Sequence, residues 1–388
     1  MEPSSSPRMR ELLAVAREVT EQVVAPNAER EDAEALWPEP AMRALGAAGL
    51  LGLHVPEPLG GHGQGLGALV AVSEVLAHGS PSTAMCYAMH CVGTAVIAAK
   101  ATDHQKEAYL VPIARGKHVT TLAVSEPGTG AFFYLPQTRL TPAGDRYLVE
   151  GTKSFVTNGG HADSYVVSTV AATEDEADEG TFSCILVDEG AEGLHWLDQW
   201  RGLGMRANSS RTARLDRVSV PAANLLGEEG DQLWYIFEVV APYFLMAMAG
   251  TYVGVAAAAF EIAREHLGTR RYAHSGELLG SSPVLAHRLG ELWTELEMTR
   301  RLVYSAAARA DAGDPEALVS VLACKAAAGD AAVRITNEAM TLAGGIGYRE
   351  NSTLARLLRD ARAAHVMSPT TDILKTWVGK ALLNQPLI

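Results

Sequence analysis

Residues 342–348 read Leu-Ala-Gly-Gly-Ile-Gly-Tyr, residues 359–362 read Arg-Asp-Ala-Arg, and residues 365–373 read His-Val-Met-Ser-Pro-Thr-Thr-Asp-Ile. A glycine-rich run allows another molecule to approach the backbone closely, because glycine has no side chain. By itself, a Gly-Gly-x-Gly run predicts only a loop, and the sequence has no dinucleotide-binding fingerprint of the Rossmann kind. The meaning of this C-terminal stretch therefore depends on the motifs upstream of it.

The composition is that of a globular protein with an ample core. The chain has 388 residues, of which 48% are hydrophobic and 20% are charged, and this length is enough for two or three domains. The net charge of −13 argues against nucleic acid or an anionic membrane as the main partner, because such partners need a basic surface.

Cysteine usage and the N-terminus bear on location. The four cysteines do not have metal-ligand spacing, so we expect no metal site and a reducing compartment. The first ten residues do not form a signal peptide, and we find no run of roughly 18 consecutive apolar residues, the length of a membrane span. The sequence therefore predicts a cytoplasmic protein without a membrane segment.

The pattern of apolar residues predicts helices, then a sheet, then helices again. Apolar spacings of three and four predict an N-terminal helical domain over 1–118. Short β-branched and aromatic runs predict a small β domain over 119–228, in which the acidic run 174–179 is expected to be an exposed loop. Long helical patterns over 229–388 predict a four-helix bundle of the kind that also oligomerises. The expected fold class is therefore α+β, mainly α.

Three further motifs lie upstream of the C-terminal stretch. Residues 125–130 read Ser-Glu-Pro-Gly-Thr-Gly, residues 151–160 read Gly-Thr-Lys-Ser-Phe-Val-Thr-Asn-Gly-Gly, and residues 201–206 read Arg-Gly-Leu-Gly-Met-Arg. A Pro-Gly turn after a predicted strand is usually only a turn. In this order and at these separations, however, the four blocks resemble the acyl-CoA dehydrogenase family over essentially the whole chain. The resemblance implies that family's fold and a bound FAD.

The resemblance assigns flavin contacts to three residues of the β domain. Ser125 matches the residue that meets the pyrimidine edge of the isoalloxazine ring, and Thr157 matches the threonine whose hydroxyl lies near the reactive N5. Phe155 matches an aromatic residue that covers one ring face. These residue types suit the roles, since a flat aromatic excludes water and a short hydroxyl tunes the ring. Without the resemblance, Phe155 is equally well explained as a strand-core aromatic.

The resemblance also implies that two subunits meet one FAD. Arg270 lies where the family places an arginine that reaches the FAD pyrophosphate of a neighbouring subunit. Gly344, Gly345 and Gly347 match the loop that the adenine end approaches. A homotetramer or homodimer is therefore expected, although a lone arginine at a helix end is more often only solvated.

The family's catalytic carboxylate is missing. The segment after the Arg-Asp-Ala-Arg run normally carries Glu-Gly-Thr, whose glutamate removes the α-proton of an acyl thioester, and here the glutamate position holds Ser368. A serine is not poised to accept a proton near neutral pH. Thr370 and Asp372 match positions of FAD contact. Asp372 is also a weak candidate for the missing base, and His365 is a further titratable candidate that more often only packs or is solvated.

The expected substrate mouth departs from the family pattern as well. Where the family has a small residue and an aspartate, this chain has Ala131 and then the aromatic residues Phe132, Phe133 and Tyr134. The bulky aromatics are expected to narrow or reshape the mouth. A second family location for the base aligns near Phe244, beside Leu245. Neither of these side chains can take a proton.

Three functional interpretations remain open at the level of sequence. The first is an FAD-dependent dehydrogenase-like enzyme acting on an acyl thioester of coenzyme A or of a carrier protein, in a specialised biosynthetic pathway. The second is a flavin-dependent monooxygenase on the same fold, performing hydroxylation, epoxidation or oxidative decarboxylation. The third is a catalytically silent flavoprotein or a carrier-protein-binding partner. The electron acceptor is expected to be either O₂ or an electron-transfer flavoprotein.

Overall fold

The chain folds into a helical part, a β-sheet and a second helical part, in that order. A computed structural model describes residues 6–172 and 181–387. The acidic run 174–179, expected to be an exposed loop, lies outside the described residues. The α+β, mainly α architecture agrees with the expectation from sequence.

The N-terminal part is built around one deeply buried helix. Its α-helices are α1 (Pro7–Val19), α2 (Ala25–Glu34), α3 (Glu39–Ala47), α4 (Leu66–Gly79), α5 (Pro81–Ala99), α6 (Asp103–Gln105) and α7 (Val111–Ala114). Ser80 begins α5 as its N-cap, since its side chain accepts a hydrogen bond from Thr83 N. The residues of α5 are apolar on nearly every face, so the helix is buried on nearly every face.

The β domain is a mixed sheet. Its strands are β1 (Thr120–Ala123), β2 (Arg139–Ala143), β3 (Arg146–Val156), β4 (Ser164–Ala171), β5 (Phe182–Asp188), β6 (Leu194–Trp196), β7 (Arg211–Pro221) and β8 (Leu225–Leu226). Their order is β6-β7-β3-β2-β4-β5-β8, and β1 pairs in parallel with β4. The β-branched and aromatic runs 119–124, 147–150, 165–170 and 182–187 predict β1, part of β3, β4 and β5. The sequence did not predict β2, β6, β7 or β8.

The C-terminal part is a bundle of helices. Its α-helices are α8 (Gln232–Trp234), α9 (Ala241–Thr269), α10 (Pro283–Asp311), α11 (Ala317–Ala343), α12 (Thr353–Val366) and α13 (Thr371–Leu382). A π-helical segment, Tyr235–Val240, joins α8 to α9. Helix α12, which carries the Arg-Asp-Ala-Arg run, was not among the predicted helices.

Two helices are long and apolar enough to span a membrane by length and composition. They cover Pro81–Ala99 and Gln232–Thr269, and 89% and 83% of their most apolar windows are buried inside the fold. Burial of this extent is the property of core helices, which pass the same test. The expectation from sequence concerned runs of consecutive apolar residues, and polar residues such as His90 interrupt such a run in Pro81–Ala99.

Close packing of α9 against α4 depends on two glycines. A Cβ atom on Gly250 would lie 2.5 Å from the carbonyl oxygen of Val70, and one on Gly254 would lie 2.3 Å from that of Glu74. The sequence predicted close helix packing at Gly254. The two glycines allow the backbones of α4 and α9 to touch.

We expect Gly250→Ala to lower the free energy of unfolding by about 1–3 kcal/mol, because the added methyl group overpacks this contact. Gly290→Ala in α10 is the matched control, because a Cβ there meets nothing within 4 Å. It should leave stability unchanged or raise it by up to about 1 kcal/mol through helix propensity. Denaturant unfolding followed by circular dichroism measures both. Equal effects of the two variants would contradict the close-packing argument.

Candidate active site

A buried ion pair organises the loop after β1. Lys153 Nζ in β3 donates to Glu126 Oε1 at 2.5 Å, and both side chains are almost completely buried. The other Glu126 oxygen accepts from Gln137 N at 2.7 Å. Burial opposes ionisation of Glu126, but the Lys153 charge and the hydrogen bonds outweigh it and hold the pKa of Glu126 below its usual value. The neighbouring Ser125 is fixed by its carbonyl oxygen, which accepts from Ser154 N at 2.8 Å.

Phe155 presents its ring to solvent in an unusual backbone conformation. The pairing of β3 with β7 shifts register between Lys153 and Val156, and Phe155 has a φ of 55°. Its side chain is 67% exposed. Its ring lies at right angles to that of Trp200, with 6.2 Å between the ring centroids. A bulky residue with positive φ is strained, and such strain clusters at functional sites. The bare ring fits the role of covering a flat ligand, and the interpretation as a strand-core aromatic is wrong.

Thr157 lies in a tight network of polar groups. Its Oγ1 is 3.1 Å from Ser210 Oγ, and its carbonyl oxygen accepts from Thr121 Oγ1 at 3.0 Å. The next residue, Asn158, has a φ of 62° and accepts from Trp37 Nε1 at 2.9 Å. Sequence reasoning missed Ser210 and Trp37, because both are far from the motif in the chain.

Helix α12 connects the three parts of the fold. Arg359 forms an ion pair with Asp32 of α2. The buried Asp360 accepts from Met205 N at 2.6 Å, and burial raises the pKa of Asp360 to about 6. A Cβ on Gly204 would lie 2.2 Å from Arg359 O, so the 201–206 motif needs glycine here. The 201–206 motif and the Arg-Asp-Ala-Arg run are therefore joined by direct contact.

Lys325 of α11 holds the segment that contains Ser368. Its Nζ donates to the carbonyl oxygens of Ala364, Met367 and Pro369 at 3.2, 2.7 and 2.7 Å. Burial lowers the pKa of Lys325 to about 7. Ser368 Oγ is buried, and it has no hydrogen-bond partner within residues 6–172 and 181–387. The position that the resemblance assigns to the family's base is therefore a small hydroxyl that is unpaired among these residues.

The other candidates near Ser368 have different surroundings. Thr370 is the N-cap of α13, and its Oγ1 accepts from Ile373 N at 3.4 Å. Asp372 is exposed in the first turn of that helix. His365 Nε2 lies 3.1 Å from Asp330 Oδ1, so this histidine has a hydrogen-bond partner of its own. These positions give no sign that Asp372 or His365 faces the same space as Ser368.

Only part of the bulky run lies at the surface. Phe132 is 60% exposed and Ala131 is half-buried, but Phe133 and Tyr134 pack into the core. The expectation about the mouth therefore stays a prediction for Ala131 and Phe132, because Phe133 and Tyr134 are buried. Phe244 and Leu245 of α9 are buried in the core, as apolar side chains at these positions should be.

The predicted second-subunit residues are exposed, apart from the buried Gly347. Gly344 has a φ of 63°, and a Cβ on Gly344 or Gly345 would meet nothing within 4 Å. Gly347 is buried beside Leu354, and Tyr348 is 82% exposed. Arg270, at the end of α9, is exposed. Bare backbone and a free-standing arginine fit a contact with an anionic ligand or a partner.

The site fits a flavin but shows no metal centre. Within the described residues, no group of three or more histidine, cysteine, aspartate or glutamate side chains is arranged to hold a metal ion. A bare aromatic ring, a paired hydroxyl at Thr157 and open glycine backbone are the features that a planar ring and a diphosphate need.

Comparison with protein families decides the identity of the chain. The models for the N-terminal, middle and C-terminal domains of acyl-CoA dehydrogenase match residues 6–117, 121–218 and 245–383. The chain belongs to the acyl-CoA dehydrogenase family. Family members bind FAD, and this acyl-CoA dehydrogenase homologue is an FAD-dependent oxidoreductase.

Individual relatives cover the whole chain. Cyclohex-1-ene-1-carbonyl-CoA dehydrogenase of Geobacter metallireducens is 30% identical over 96% of this chain and 97% of its own length. The structure of butyryl-CoA dehydrogenase from Megasphaera elsdenii is 27% identical and superposes with a TM-score of 0.91, covering 99% of this chain and 100% of its own. The prolyl acyl carrier protein oxidase AnaB, 24% identical, has a TM-score of 0.88 over 98% of this chain and 100% of its own, and this shows the shared fold.

We expect Lys153→Met to lower the free energy of unfolding by about 3–5 kcal/mol, because it leaves the Glu126 carboxylate buried without its partner. Retention of FAD should fall as well, since the Ser125 loop loses its anchor. Lys106→Met is the control, because Lys106 pairs with Asp103 at the surface and such pairs contribute little. Unfolding curves and the ratio of bound flavin to protein measure the outcome. Wild-type stability of Lys153→Met would contradict it.

Proposed function

We propose that this acyl-CoA dehydrogenase homologue oxidises an activated acyl thioester, carried by coenzyme A or by a carrier protein, in a specialised biosynthetic pathway. The observation that carries the proposal is Ser368, an unpaired hydroxyl at the position of the family's base. A substrate that loses its own proton or carboxylate easily does not need a strong protein base.

Each part of the site has a distinct task in this proposal. FAD, when bound, supplies the acceptor for the hydride that leaves the substrate. Ser125 and Thr157 bind the ring edge, and Phe155 covers one face and excludes water. Thr370 and Asp372 contact the cofactor from the start of α13. In this proposal Ala131 and Phe132 line the substrate mouth, together with Phe244 and Leu245 of α9.

The charge around Ser368 supports an electron-rich substrate. Lys325 donates only to backbone carbonyl oxygens, and it has no carboxylate partner in the part of the chain that the structure describes. A family member with glutamate adds a negative charge in this segment, and this chain does not. An acyl group that develops an enolate, such as a β-keto acid, would therefore not meet the repulsion of a glutamate carboxylate in this segment.

The choice of carrier, acceptor and compartment belongs to the same proposal. The name of the Geobacter relative gives a coenzyme A thioester, and that of AnaB gives an acyl carrier protein. Both carriers suit the chemistry proposed here. We propose either O₂ or an electron-transfer flavoprotein as the acceptor, and the cytoplasm as the location.

Ordinary saturated acyl-CoAs should reduce the wild-type flavin very slowly, because losing general-base catalysis commonly costs about 10²–10⁴-fold in rate. Ser368→Glu should raise that rate by restoring a carboxylate, and Ser368→Gln is the matched control of similar size without the charge. Anaerobic mixing with butyryl-, octanoyl- and palmitoyl-CoA, followed by flavin absorbance, measures the rates.

Each other result of that experiment has a meaning. Fast reduction of the wild type by saturated acyl-CoAs would show that another residue is a competent base, and the proposal would be wrong. Oxygen uptake matched by oxygen in the product would favour a monooxygenase. A flavin that no acyl-CoA or acyl-carrier thioester bleaches would favour a silent flavoprotein.

We further propose a homotetramer or homodimer in which Arg270 and the Gly344–Gly347 loop serve the FAD of a partner subunit. Exposed apolar side chains on α10, including Trp293 at 53% and Met298 at 63% exposure, support association. Arg270→Ala should weaken FAD retention, because a charge-assisted contact is worth about 1.5–3 kcal/mol. Arg264→Ala, exposed on the same helix, is the control. Monomer mass with full FAD occupancy in light scattering would refute this arrangement.

A further inference from the structure

Helix α2 carries a buried carboxyl group that nothing so far explains. Glu31 is 1% exposed, and neither of its carboxylate oxygens has a hydrogen-bond partner in the described part of the chain. Its neighbour Asp32 is satisfied by the ion pair with Arg359. A buried, unpaired carboxyl is costly, so its retention needs a reason.

Charged and titratable groups face Glu31 from three helices. Arg30 lies on the same helix, Arg356 on α12 and Cys86 on α5. Arg356 Nε is itself buried and has no hydrogen-bond partner within residues 6–172 and 181–387. The charge of Arg356 therefore acts on Glu31 without a hydrogen bond between them. Among the described residues, no hydrogen bond holds the Glu31 carboxyl in its ionised form.

Hydrogen bonds connect the surroundings of Glu31 to the turn at Thr157 and Asn158, where we propose that the flavin binds. Cys86 O accepts from Asn158 Nδ2 at 2.9 Å, and the Asn158 side chain also accepts from Trp37 Nε1 at 2.9 Å. Asn158 directly follows Thr157, the residue expected near the reactive edge of the flavin. One bonded chain thus leads from Cys86, beside Glu31, through Asn158 to Thr157.

Two opposing effects determine the pKa of Glu31. Burial raises the pKa of Glu31 to about 7, against the attraction of Arg30 and Arg356, which lowers it. The carboxyl therefore changes charge in the neutral range, where a group can exchange protons during catalysis. Burial first, and then the Glu31 charge, raise the pKa of the Cys86 thiol, so Cys86 stays neutral.

We propose that Glu31 is a positioning residue of the flavin site, which exchanges a proton and thereby sets the reduction potential of the bound FAD. This inference rests on the proposed placement of the flavin beside Thr157, but not on the identity of the acyl substrate. An ionised carboxylate in a poorly solvated interior disfavours the negative charge that reduction brings to the flavin. A neutral carboxyl does not.

The test is the pH dependence of the reduction potential in three FAD-loaded proteins: wild type, Glu31→Gln and Glu34→Gln. Glutamine mimics the neutral carboxyl, and Glu34 is exposed on the same helix. Relative to Glu31→Gln, the wild-type potential should be the same well below pH 7 and lower well above it. Glu34→Gln should follow the wild type. Superimposed wild-type and Glu31→Gln curves would overturn the proposal.

A second readout does not use the flavin chemistry. A carboxyl whose pKa is raised in the folded state binds its proton more tightly there, so stability falls as pH rises from the ordinary value to the raised one. The stability of the wild type relative to Glu31→Gln should therefore decrease between pH 4.5 and about pH 7 in denaturant unfolding. No such decrease would show that Glu31 does not titrate as proposed.

The two measurements separate the possible failures. A stability difference without a shift in potential would show that Glu31 titrates but is not coupled to the flavin, which overturns the inference. A shift in potential together with fast reduction by saturated acyl-CoAs would leave the inference standing while the proposed function fails.

Discussion

The ion pair between Lys153 and Glu126 is the constraint on which the candidate site depends. It joins the loop after β1 to β3, and Lys153 also donates to Ser168 O of β4 at 2.6 Å. Replacing a buried ion pair by apolar residues is often neutral or even stabilising, so stability alone is a weak explanation for it. Its effect here is geometric, because it fixes Ser125 on one side and the residues around Phe155 on the other.

The long-range contacts extend that frame to the helices. Trp37 reaches Asn158 across 121 positions of sequence, and Arg359 reaches Asp32 across 327. Each contact involves a polar group that would be costly to bury alone. Hydrogen bonds between polar groups, and not apolar packing alone, therefore hold the turn at Thr157 and Asn158, the 201–206 motif and α12.

The sequence predicted the order of helices and sheet because the apolar spacing changes clearly from one to the other. It missed β7 and β6, whose residues are mostly half-buried or exposed and so lack the apolar signal of β4. It also missed α12, in which arginines interrupt the apolar residues. The π-helical segment Tyr235–Val240 has no reliable local signature.

The sequence also predicted some of the site residues and missed others. The motifs predicted Phe155 and Thr157, and the structure gives them surroundings that suit the expected roles. Glu31 escaped notice because a glutamate among charged neighbours on a helix is normally a solvated residue. Only tertiary packing shows that this one is buried.

The backbone strain at Phe155 limits which residues suit this position. Glycine would relax the positive φ, and a strained residue of this kind costs about 1–3 kcal/mol. Phe155→Gly would therefore relieve the strain but remove the ring, so stability and the aromatic face oppose each other at this position.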